Sequence, residues 1–180
     1  MQTYNNFLDE DFADYLYNYA NDVMINKNED CPRVSSNYEW HYDVRHDSAP
    51  VFTIKLKEEF IEKFKKSLVK FGFFDESLHE PLQHVTLYVW TRESYIPLHS
   101  DQKYGKALTV YLNREWEYKD GGMLHWLDRD INEWKAILPS FNLCVLNNQG
   151  VEHATTPVKA TDKFRITIQC FIYNKKNGTI

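Results

Sequence analysis

The sequence predicts an α+β protein in which helices come first and a sandwich or jelly roll of short strands follows. Three observations support this fold class. The chain of 180 residues has the size of one domain, and no Pro/Gly/Ser-rich stretch divides it. Apolar residues recur at helical spacing through the first eighty residues, and the period changes to alternation after residue 80. We expect one domain over 1–180, with 1–80 as mainly helical support on one outer face of a strand-rich core over 81–175.

Two helices are expected in the first part. Asp9 to Asp11 supply a cap and an acidic first turn for a helix over about residues 10–24. Its apolar stripe comprises Leu8, Phe12, Leu16, Tyr19, Ala20 and Val23. A second stripe comprises Phe60, Ile61, Phe64, Leu68 and Phe71, and it ends at Gly72, which suits the left-handed position after a helix. The polar loop Asn26–Pro50 between them is too long for a simple connection, and its role is open.

The second part reads as strands. In Gln83–Trp90, apolar residues alternate with the others, so Val85, Leu87 and Val89 are expected on one face of a strand and the even-numbered residues on the opposite face. Further strand candidates are Ala107–Leu112, Met123–Leu127, Trp134–Leu138, Asn142–Leu146, Val151–Val158 and Phe164–Tyr173. Turn-forming residues separate several of them, and many short strands at roughly even spacing favour a jelly roll.

Composition narrows the function classes. The net charge of −5 implies no bulk attraction to nucleic acid. The three cysteines fit neither a disulfide framework nor a zinc motif, which indicates a reducing compartment. No signal-peptide pattern and no membrane-length apolar run is found, so we expect a cytoplasmic protein without a membrane partner. The oligomeric state is not predicted.

Two His-x-Asp triplets are the candidate metal-binding motifs. His99 and Asp101 lie two residues apart and therefore share one face of an extended segment. With a second imidazole from a distant strand, His153, they would form a facial triad, which leaves coordination positions open for a substrate and dioxygen. The triplet His41–Asp43 also fits, but it falls in the irregular loop, and short motifs arise by chance. We therefore favour the later triplet.

The remaining histidines are interpreted as hydrogen-bonded structural residues. They are His41, His46, His79, His84 and His125. His125 follows the Gly121-Gly122 turn and is the one among them with a route toward a pocket.

Six separate elements occur in an order and at spacings that resemble the catalytic core of prolyl 4-hydroxylase-type Fe(II)/2-oxoglutarate oxygenases. They are His99-Ser-Asp101, Leu108-Thr-Val-Tyr-Leu-Asn113, Asp120-Gly-Gly-Met-Leu124, Pro139 before Leu143–Leu146, His153 with Pro157, and Arg165-Ile-Thr-Ile168. The resemblance covers about half of the chain, from Tyr88 to Tyr173. It implies a double-stranded β-helix, with Fe(II) on His99, Asp101 and His153, 2-oxoglutarate and O2 as cosubstrates, and ascorbate as a further candidate.

The resemblance also implies a cation that holds the distal carboxylate of 2-oxoglutarate. Lys163 and Arg165 compete for this role, because they share strand parity. We favour Arg165, whose guanidinium can bind a carboxylate with two parallel hydrogen bonds and which Thr167 follows on the same face. Tyr111 is expected to complete the carboxylate site. Thr109 and Leu124 are expected to line the cavity. Tyr88 and Trp90 stand near the position of a cosubstrate-facing tyrosine of the family, so the upper pocket departs from the family pattern.

The resemblance implies an activity as well, which is hydroxylation of an unactivated C–H bond in a prolyl residue of a peptide or protein. Loops such as Asn26–Pro50 and Trp116–Asp120 would recognise the substrate. Two alternatives remain open: hydroxylation of a free amino acid or another small molecule, and a non-catalytic cupin-like module that only binds metal. A carboxylate anchor around an open metal site would favour an enzyme over that module.

Overall fold

The computed structural model describes residues 1–26, 33–35, 49–74, 82–102, 104–148 and 150–172. Its helices are α1 (Glu10–Asn26) and α2 (Glu58–Lys70), with a 3-10 turn at Tyr118–Asp120. Its strands are β1 (Gln2–Tyr4), β2 (Arg33–Ser35), β3 (Val51–Lys55), β4 (Leu82–Trp90), β5 (Ile96–His99), β6 (Lys106–Tyr111), β7 (Leu124–Asp128), β8 (Glu133–Ile137), β9 (Leu143–Asn147), β10 (His153–Thr155) and β11 (Arg165–Ile172). The predicted loop Asn26–Pro50 and the triplet His41–Asp43 lie mostly or wholly outside the described residues, as do His46 and His79.

Both predicted helices are present. The Asp9 carboxylate accepts a hydrogen bond from the Phe12 N–H at 3.2 Å, which caps the first turn of α1. Two glutamates occupy the first turn of α2 and a lysine its last turn, as the helix dipole favours. Gly72 follows α2 with a φ of 69°, the left-handed conformation that glycine adopts without strain. The apolar stripes of both helices are buried in one core with the strands.

The strands form two antiparallel sheets. The larger has the order β1-β9-β6-β11-β4-β3-β2, and the smaller has the order β5-β10-β7-β8. With the two helices on the outer side of the larger sheet, this arrangement confirms the predicted double-stranded β-helix. No helix among the described residues has the length and apolar character needed to cross a membrane.

The first eighty residues are less helical than the sequence predicted. Three short strands from this part, β1, β2 and β3, join the edges of the larger sheet. Strand β3 pairs with β4 along its whole length, from Val51 opposite Trp90 to Lys55 opposite Thr86. Strand β3 has only five residues, which is too few for an alternating pattern to identify a strand beside a long polar loop. It is stabilised by pairing with the long strand β4 and not by its local sequence.

Alternation along the larger sheet separates two environments. Even-numbered β11 residues join the core beneath the helices together with Val85, Leu87 and Val89 of β4, and Leu87, Val89, Ile166 and Ile168 are fully buried there. The other face of the same strands looks toward the smaller sheet. It carries Thr86, Tyr88, Trp90, Arg165, Thr167 and Gln169. The face that helices cover is therefore apolar, while the face between the two sheets carries most of the polar side chains.

Candidate metal centre and cosubstrate pocket

Two histidines and one aspartate converge at the smaller sheet. Strand β10 pairs antiparallel with β5, and His153 lies directly opposite His99. Asp101 follows β5 after one residue, and its carboxylate oxygens lie 4.0 Å from His99 Nε2 and 3.5 Å from His153 Nε2. One ligand atom from each of the three residues lies within 4.8 Å of the others. The structure therefore brings together the three residues that the sequence predicted as a triad.

Backbone carbonyl groups fix the orientation of both imidazoles. His99 Nδ1 lies 2.9 Å from the Pro97 carbonyl oxygen, and His153 Nδ1 lies 2.8 Å from the Val151 carbonyl oxygen. A carbonyl oxygen only accepts, so each Nδ1 must carry the proton. In the neutral ring, Nε2 then carries the lone pair on the side of Asp101, which is the arrangement that metal-binding histidines use.

Hydrogen bonds and close packing hold the segment before β10 beside the site. The Asn147 side chain donates to the Val151 carbonyl and accepts from the Val151 N–H, both at 3.0 Å. The Ser100 hydroxyl donates to the Gly150 carbonyl at 2.8 Å. A Cβ on Gly150 would come within 2.5 Å of the Gln102 side chain, and its φ is 60°, so only glycine fits there. This packing fixes His153 relative to His99.

The three side chains are shielded but still accessible. Their exposed fractions are 5% for His99, 13% for Asp101 and 12% for His153. Two imidazole nitrogens and one carboxylate oxygen are the donor set of non-haem Fe(II) oxygenases. These three donors leave neighbouring coordination positions of the iron open. The residues present therefore fit an iron ion.

A small cavity extends from this triad between the two sheets. Its lining combines the triad with polar and apolar side chains of both sheets: Trp90, Ile96, Thr109, Tyr111, Leu124, Thr155, Arg165, Gln169 and Phe171. Of the six residues predicted for the cosubstrate site, Thr109, Tyr111, Leu124 and Arg165 are thus in its wall, whereas Thr167 and Lys163 are not among its lining residues. The Thr109 hydroxyl donates to the Gln169 side-chain oxygen at 3.0 Å, which fixes both side chains.

Arg165 and Tyr111 form the polar end of this cavity. Arg165 is only 1% exposed, and its Nε and Nη1 have no hydrogen-bond partner among the described residues. The fully buried Tyr111 hydroxyl also lacks one, although the Arg165 guanidinium carbon lies 5.2 Å from the Tyr111 ring centre. Burial lowers the pKa of Arg165, and the neighbouring Tyr111 opposes that effect. Burial raises the pKa of Tyr111, and Arg165 opposes it. Buried donors without partners are rare, and a carboxylate would satisfy them.

Thr167 takes part in a contact that the sequence did not indicate. Its hydroxyl oxygen accepts a hydrogen bond from Trp90 Nε1 at 3.0 Å, and the Trp90 ring lies 4.5 Å from the Arg165 guanidinium carbon. In the sequence, Trp90 stands out only as a departure from the family pattern. Its even-numbered place in β4, beside Tyr88, was the available signal that it faces the cavity.

Lys163, the second predicted anchor, occupies a different place. Its Nζ lies 2.8 Å from an Asp120 carboxylate oxygen and 2.7 Å from the Glu115 carbonyl oxygen, and it is not in the cavity wall described above. Burial alone would raise the pKa of Asp120. Hydrogen bonds from Lys163 and from the Glu117 N–H lower it by more, so the net pKa is below its ordinary value. Lys163 thus stabilises the turn at Asp120.

That turn makes room for Arg165. A Cβ on Gly122 would come within 2.6 Å of Arg165 Cδ, and one on Gly121 within 2.2 Å of the Pro157 carbonyl oxygen. Both glycines also have a positive φ. The Gly-Gly pair is therefore required for close approach of the chain to the buried arginine and to the segment after β10.

Two histidines outside the triad are described by the structure. His84 Nε2 lies 3.4 Å from the Tyr88 hydroxyl, and burial lowers the pKa of His84. The His125 ring packs against Trp134 with ring centres 5.7 Å apart. His125 Nδ1 is buried without a hydrogen-bond partner among the described residues, so the hydrogen bond predicted for His125 is not found at that atom. Neither residue lies beside the triad in the cavity wall.

Comparison with known proteins agrees with this geometry. Residues 84–173 match the family model of the 2OG-Fe(II) oxygenase superfamily, which is half of the chain. The protein therefore belongs to the 2OG-Fe(II) oxygenase superfamily, whose members use Fe(II), 2-oxoglutarate and O2. No curated protein sequence matches the chain.

Solved structures share the fold at low sequence identity. A Pseudomonas putida prolyl-4-hydroxylase has a TM-score of 0.69 and 14% identity, over 97% of this chain and 92% of that one. A Trichoplax adhaerens prolyl hydroxylase, in complex with a hypoxia-inducible factor peptide, has a TM-score of 0.70 and 15% identity, over 97% and 84%. The α-ketoglutarate-dependent epimerase SnoN from nogalamycin biosynthesis has a TM-score of 0.66 and 11% identity, over 96% and 76%.

Proposed function

We propose that this protein is an Fe(II)- and 2-oxoglutarate-dependent dioxygenase that hydroxylates a prolyl residue of a peptide or protein. The observation that carries the catalytic part is one cavity with two complementary ends. At one end, His99, Asp101 and His153 present a nitrogen, oxygen and nitrogen donor set to a single point. At the other end, two nitrogens of the buried Arg165 guanidinium lack hydrogen-bond partners among the residues that the structure describes.

Each end has a separate role in this proposal. His99, Asp101 and His153 would hold the iron, which supplies the oxidising chemistry when it is bound with dioxygen and the oxo-acid end of 2-oxoglutarate. Arg165 would bind the distal carboxylate through two parallel hydrogen bonds, and Tyr111 would donate a third. The apolar Leu124 and Ile96 in the cavity wall would exclude water from the cosubstrate.

The assignment of a prolyl substrate has a different basis. The whole-length similarity to prolyl hydroxylases, one of them bound to a peptide, supports a peptide or protein substrate. The second candidate is hydroxylation of a small molecule. The fold similarity to an epimerase of nogalamycin biosynthesis favours it, because that relative has nearly the same TM-score as the hydroxylases. A cupin-like module that only binds metal is disfavoured by the cation at the far end of the cavity.

Turnover of the cosubstrate tests the enzyme class. Purified protein with Fe(II), 2-oxoglutarate and oxygen should form succinate slowly even without its main substrate. His99→Ala, Asp101→Ala and His153→Ala should each abolish succinate formation and weaken metal binding. His41→Ala and Asp43→Ala alter the other His-x-Asp triplet and serve as matched controls, with no expected effect. An iron-loaded, folded protein that makes no succinate with any candidate substrate would contradict the proposal.

A paired peptide experiment tests the substrate. Proline-containing peptides should increase succinate formation and gain the mass of one oxygen atom, whereas the same peptides with alanine in place of proline should do neither. Stimulation by free amino acids or small cyclic compounds, but by none of the peptides, would favour the second candidate.

A further inference from the structure

Trp90 contacts Arg165 and Thr167, the two β11 residues that the sequence associates with the distal carboxylate. It is 1% exposed and lies opposite Arg165 in the register of β4 and β11. The guanidinium carbon of Arg165 is 4.5 Å from the centre of the Trp90 ring, and Trp90 Nε1 is 3.0 Å from Thr167 Oγ1. One indole therefore interacts with a cation through its face and with a hydroxyl through its edge.

The hydrogen bond to Thr167 has a fixed direction. An indole N–H only donates, so the Thr167 oxygen is the acceptor. The hydroxyl hydrogen of Thr167 must then point elsewhere. Thr167 stands between Arg165 and Gln169 on the cavity side of β11 and opposite Tyr111 on β6, and these three neighbours all line the cavity. Trp90 thus leaves the Thr167 hydroxyl available as a donor beside the Arg165 guanidinium.

The face of the indole has a second effect. A fully buried guanidinium without a carboxylate partner among the described residues is unstable unless other groups solvate it. An aromatic face within about 6 Å attracts such a cation, most strongly when it is desolvated and when the ring is tryptophan. This attraction holds Arg165 in place while no ligand neutralises it.

We propose that Trp90 is a positioning residue for the distal carboxylate of 2-oxoglutarate, which orients the Arg165 guanidinium through its ring and the Thr167 hydroxyl through its N–H. This inference rests on the proposed function, because it assumes that 2-oxoglutarate binds in the cavity. Trp90 acts on the carboxylate through Arg165 and Thr167. It determines how many donors are aimed at the carboxylate.

Trp90→Phe tests the hydrogen-bonding part, because phenylalanine keeps an aromatic face and removes the N–H. With Mn(II) in place of iron, titration calorimetry should show 2-oxoglutarate binding weakened about threefold to tenfold, the effect of one misdirected hydrogen bond. Binding of pyruvate, which has the same oxo-acid end but no distal carboxylate, should be unchanged. A core residue with only a structural role would affect both ligands alike.

Trp116→Phe is the matched control. Trp116 is also buried, belongs to the same apolar cluster as Trp90 and donates its N–H to the Gly121 carbonyl oxygen at 2.8 Å. It is not part of the cavity wall described above. The control measures the cost of losing a buried indole N–H outside the cavity, and it should change the binding of 2-oxoglutarate and of pyruvate by the same factor.

A double-mutant cycle with Thr167→Val completes the test. Thr167→Val should weaken 2-oxoglutarate binding about as much as Trp90→Phe, and the double variant should add little, because both changes remove the same donor. Fully additive losses, an unchanged affinity in Trp90→Phe, or an equal loss for pyruvate would overturn the inference. Failure of the proposed function would look different, since the wild-type protein itself would not bind 2-oxoglutarate.

Discussion

The two faces of β11 are equally buried but chemically opposite. All eight residues of the strand are buried. Ile166, Ile168, Cys170 and Ile172 join the apolar core with the helices. On the opposite face, Arg165, Gln169 and Phe171 line the cavity beside the metal centre. Burial alone therefore does not distinguish a residue that stabilises the fold from one that serves the site.

Hydrogen-bond satisfaction distinguishes the two faces. On the cavity side, Arg165 and Tyr111 have buried polar atoms that lack partners within the part of the chain described. Leaving such groups unpaired costs stability, so they are expected where a ligand completes the site. The residues on the helix side stabilise the fold. The unpaired polar groups on the cavity side lower its stability, and they are available to bind a ligand.

The largest expected effect comes from the helix-facing side. Ile168 is fully buried and lies opposite Leu87 and Val110 on the neighbouring strands. Ile168→Ala should lower the free energy of unfolding by about 2–5 kcal/mol, because it removes buried methyl groups and leaves a cavity. Binding of 2-oxoglutarate to the Mn(II) form should change less than about twofold, because Ile168 belongs to the core beneath the helices and is not among the cavity-lining residues. Urea denaturation and calorimetry measure the two quantities.

Ile168→Val serves as the graded control, with an expected loss of about 0.5–1.5 kcal/mol. If cosubstrate affinity fell in parallel with stability in both variants, the two faces would be coupled, and the separation argued above would be wrong.

The next effect is expected from the two parallel hydrogen bonds that the Arg165 guanidinium can donate to the carboxylate. Arg165→Lys keeps the charge but loses two parallel hydrogen bonds of about 1.5–3 kcal/mol, so 2-oxoglutarate binding should weaken roughly tenfold to a hundredfold. Titration with Mn(II) in place of iron measures this loss without turnover. Lys163→Ala is the control and should change affinity little, because Lys163 contacts Asp120 and Glu115. A large loss in Lys163→Ala with little loss in Arg165→Lys would reverse the assignment.

A smaller effect of opposite sign is expected when the charge is removed. Arg165→Met replaces an uncompensated buried guanidinium with an apolar side chain of similar length. The free energy of unfolding without ligand should stay the same or rise by about 1–2 kcal/mol, while 2-oxoglutarate binding is lost. Urea denaturation in the absence and presence of 2-oxoglutarate measures both. A strong destabilisation of the ligand-free protein would mean that Arg165 supports the fold.

Much of the fold was predictable because long periodic segments dominate it. The stripes of α1 and α2 and the alternation in β4 and β11 extend over enough residues for periodicity to identify them. Strands β1, β2, β3 and β5 were missed, because they are short and depend on pairing with neighbours. The predicted strand Val151–Val158 shortens to His153–Thr155, since Asn147 and Ser100 hold the preceding loop in other hydrogen bonds.

The site shows the same division. The triad could be proposed from motif order, because His99, Asp101 and His153 occur in a family-like sequence of elements. The contacts of Trp90 could not be proposed, since they depend on which residue of β11 lies opposite it, and register is a tertiary property. Parity placed Lys163 and Arg165 on the same face, but Lys163 precedes β11 and pairs with the Asp120 turn.

The smallest expected effect tests that turn through its pH dependence. Although burial raises the pKa of Asp120, Lys163 and the Glu117 N–H hold it below the ordinary value of 3.8. Burial lowers the pKa of Lys163, but Asp120 raises it above 10.5 on balance. A carboxylate with a lowered folded-state pKa contributes stability above its unfolded-state pKa and loses it as the pH falls through the folded-state pKa. The ion pair should therefore contribute fully between about pH 5 and pH 10.

Lys163→Met should lower the free energy of unfolding by about 1 kcal/mol at pH 7, and the difference from the wild-type protein should shrink below about pH 4, as urea denaturation at several pH values would show. Lys159→Met breaks an ion pair of the same length with Glu93 on the surface and should change stability little, because solvent screens exposed pairs. A pH-independent loss in Lys163→Met would mean that the contact of Lys163 Nζ with the Trp116 ring, whose centre lies 5.3 Å away, and not the pairing with Asp120, stabilises the turn beside Arg165.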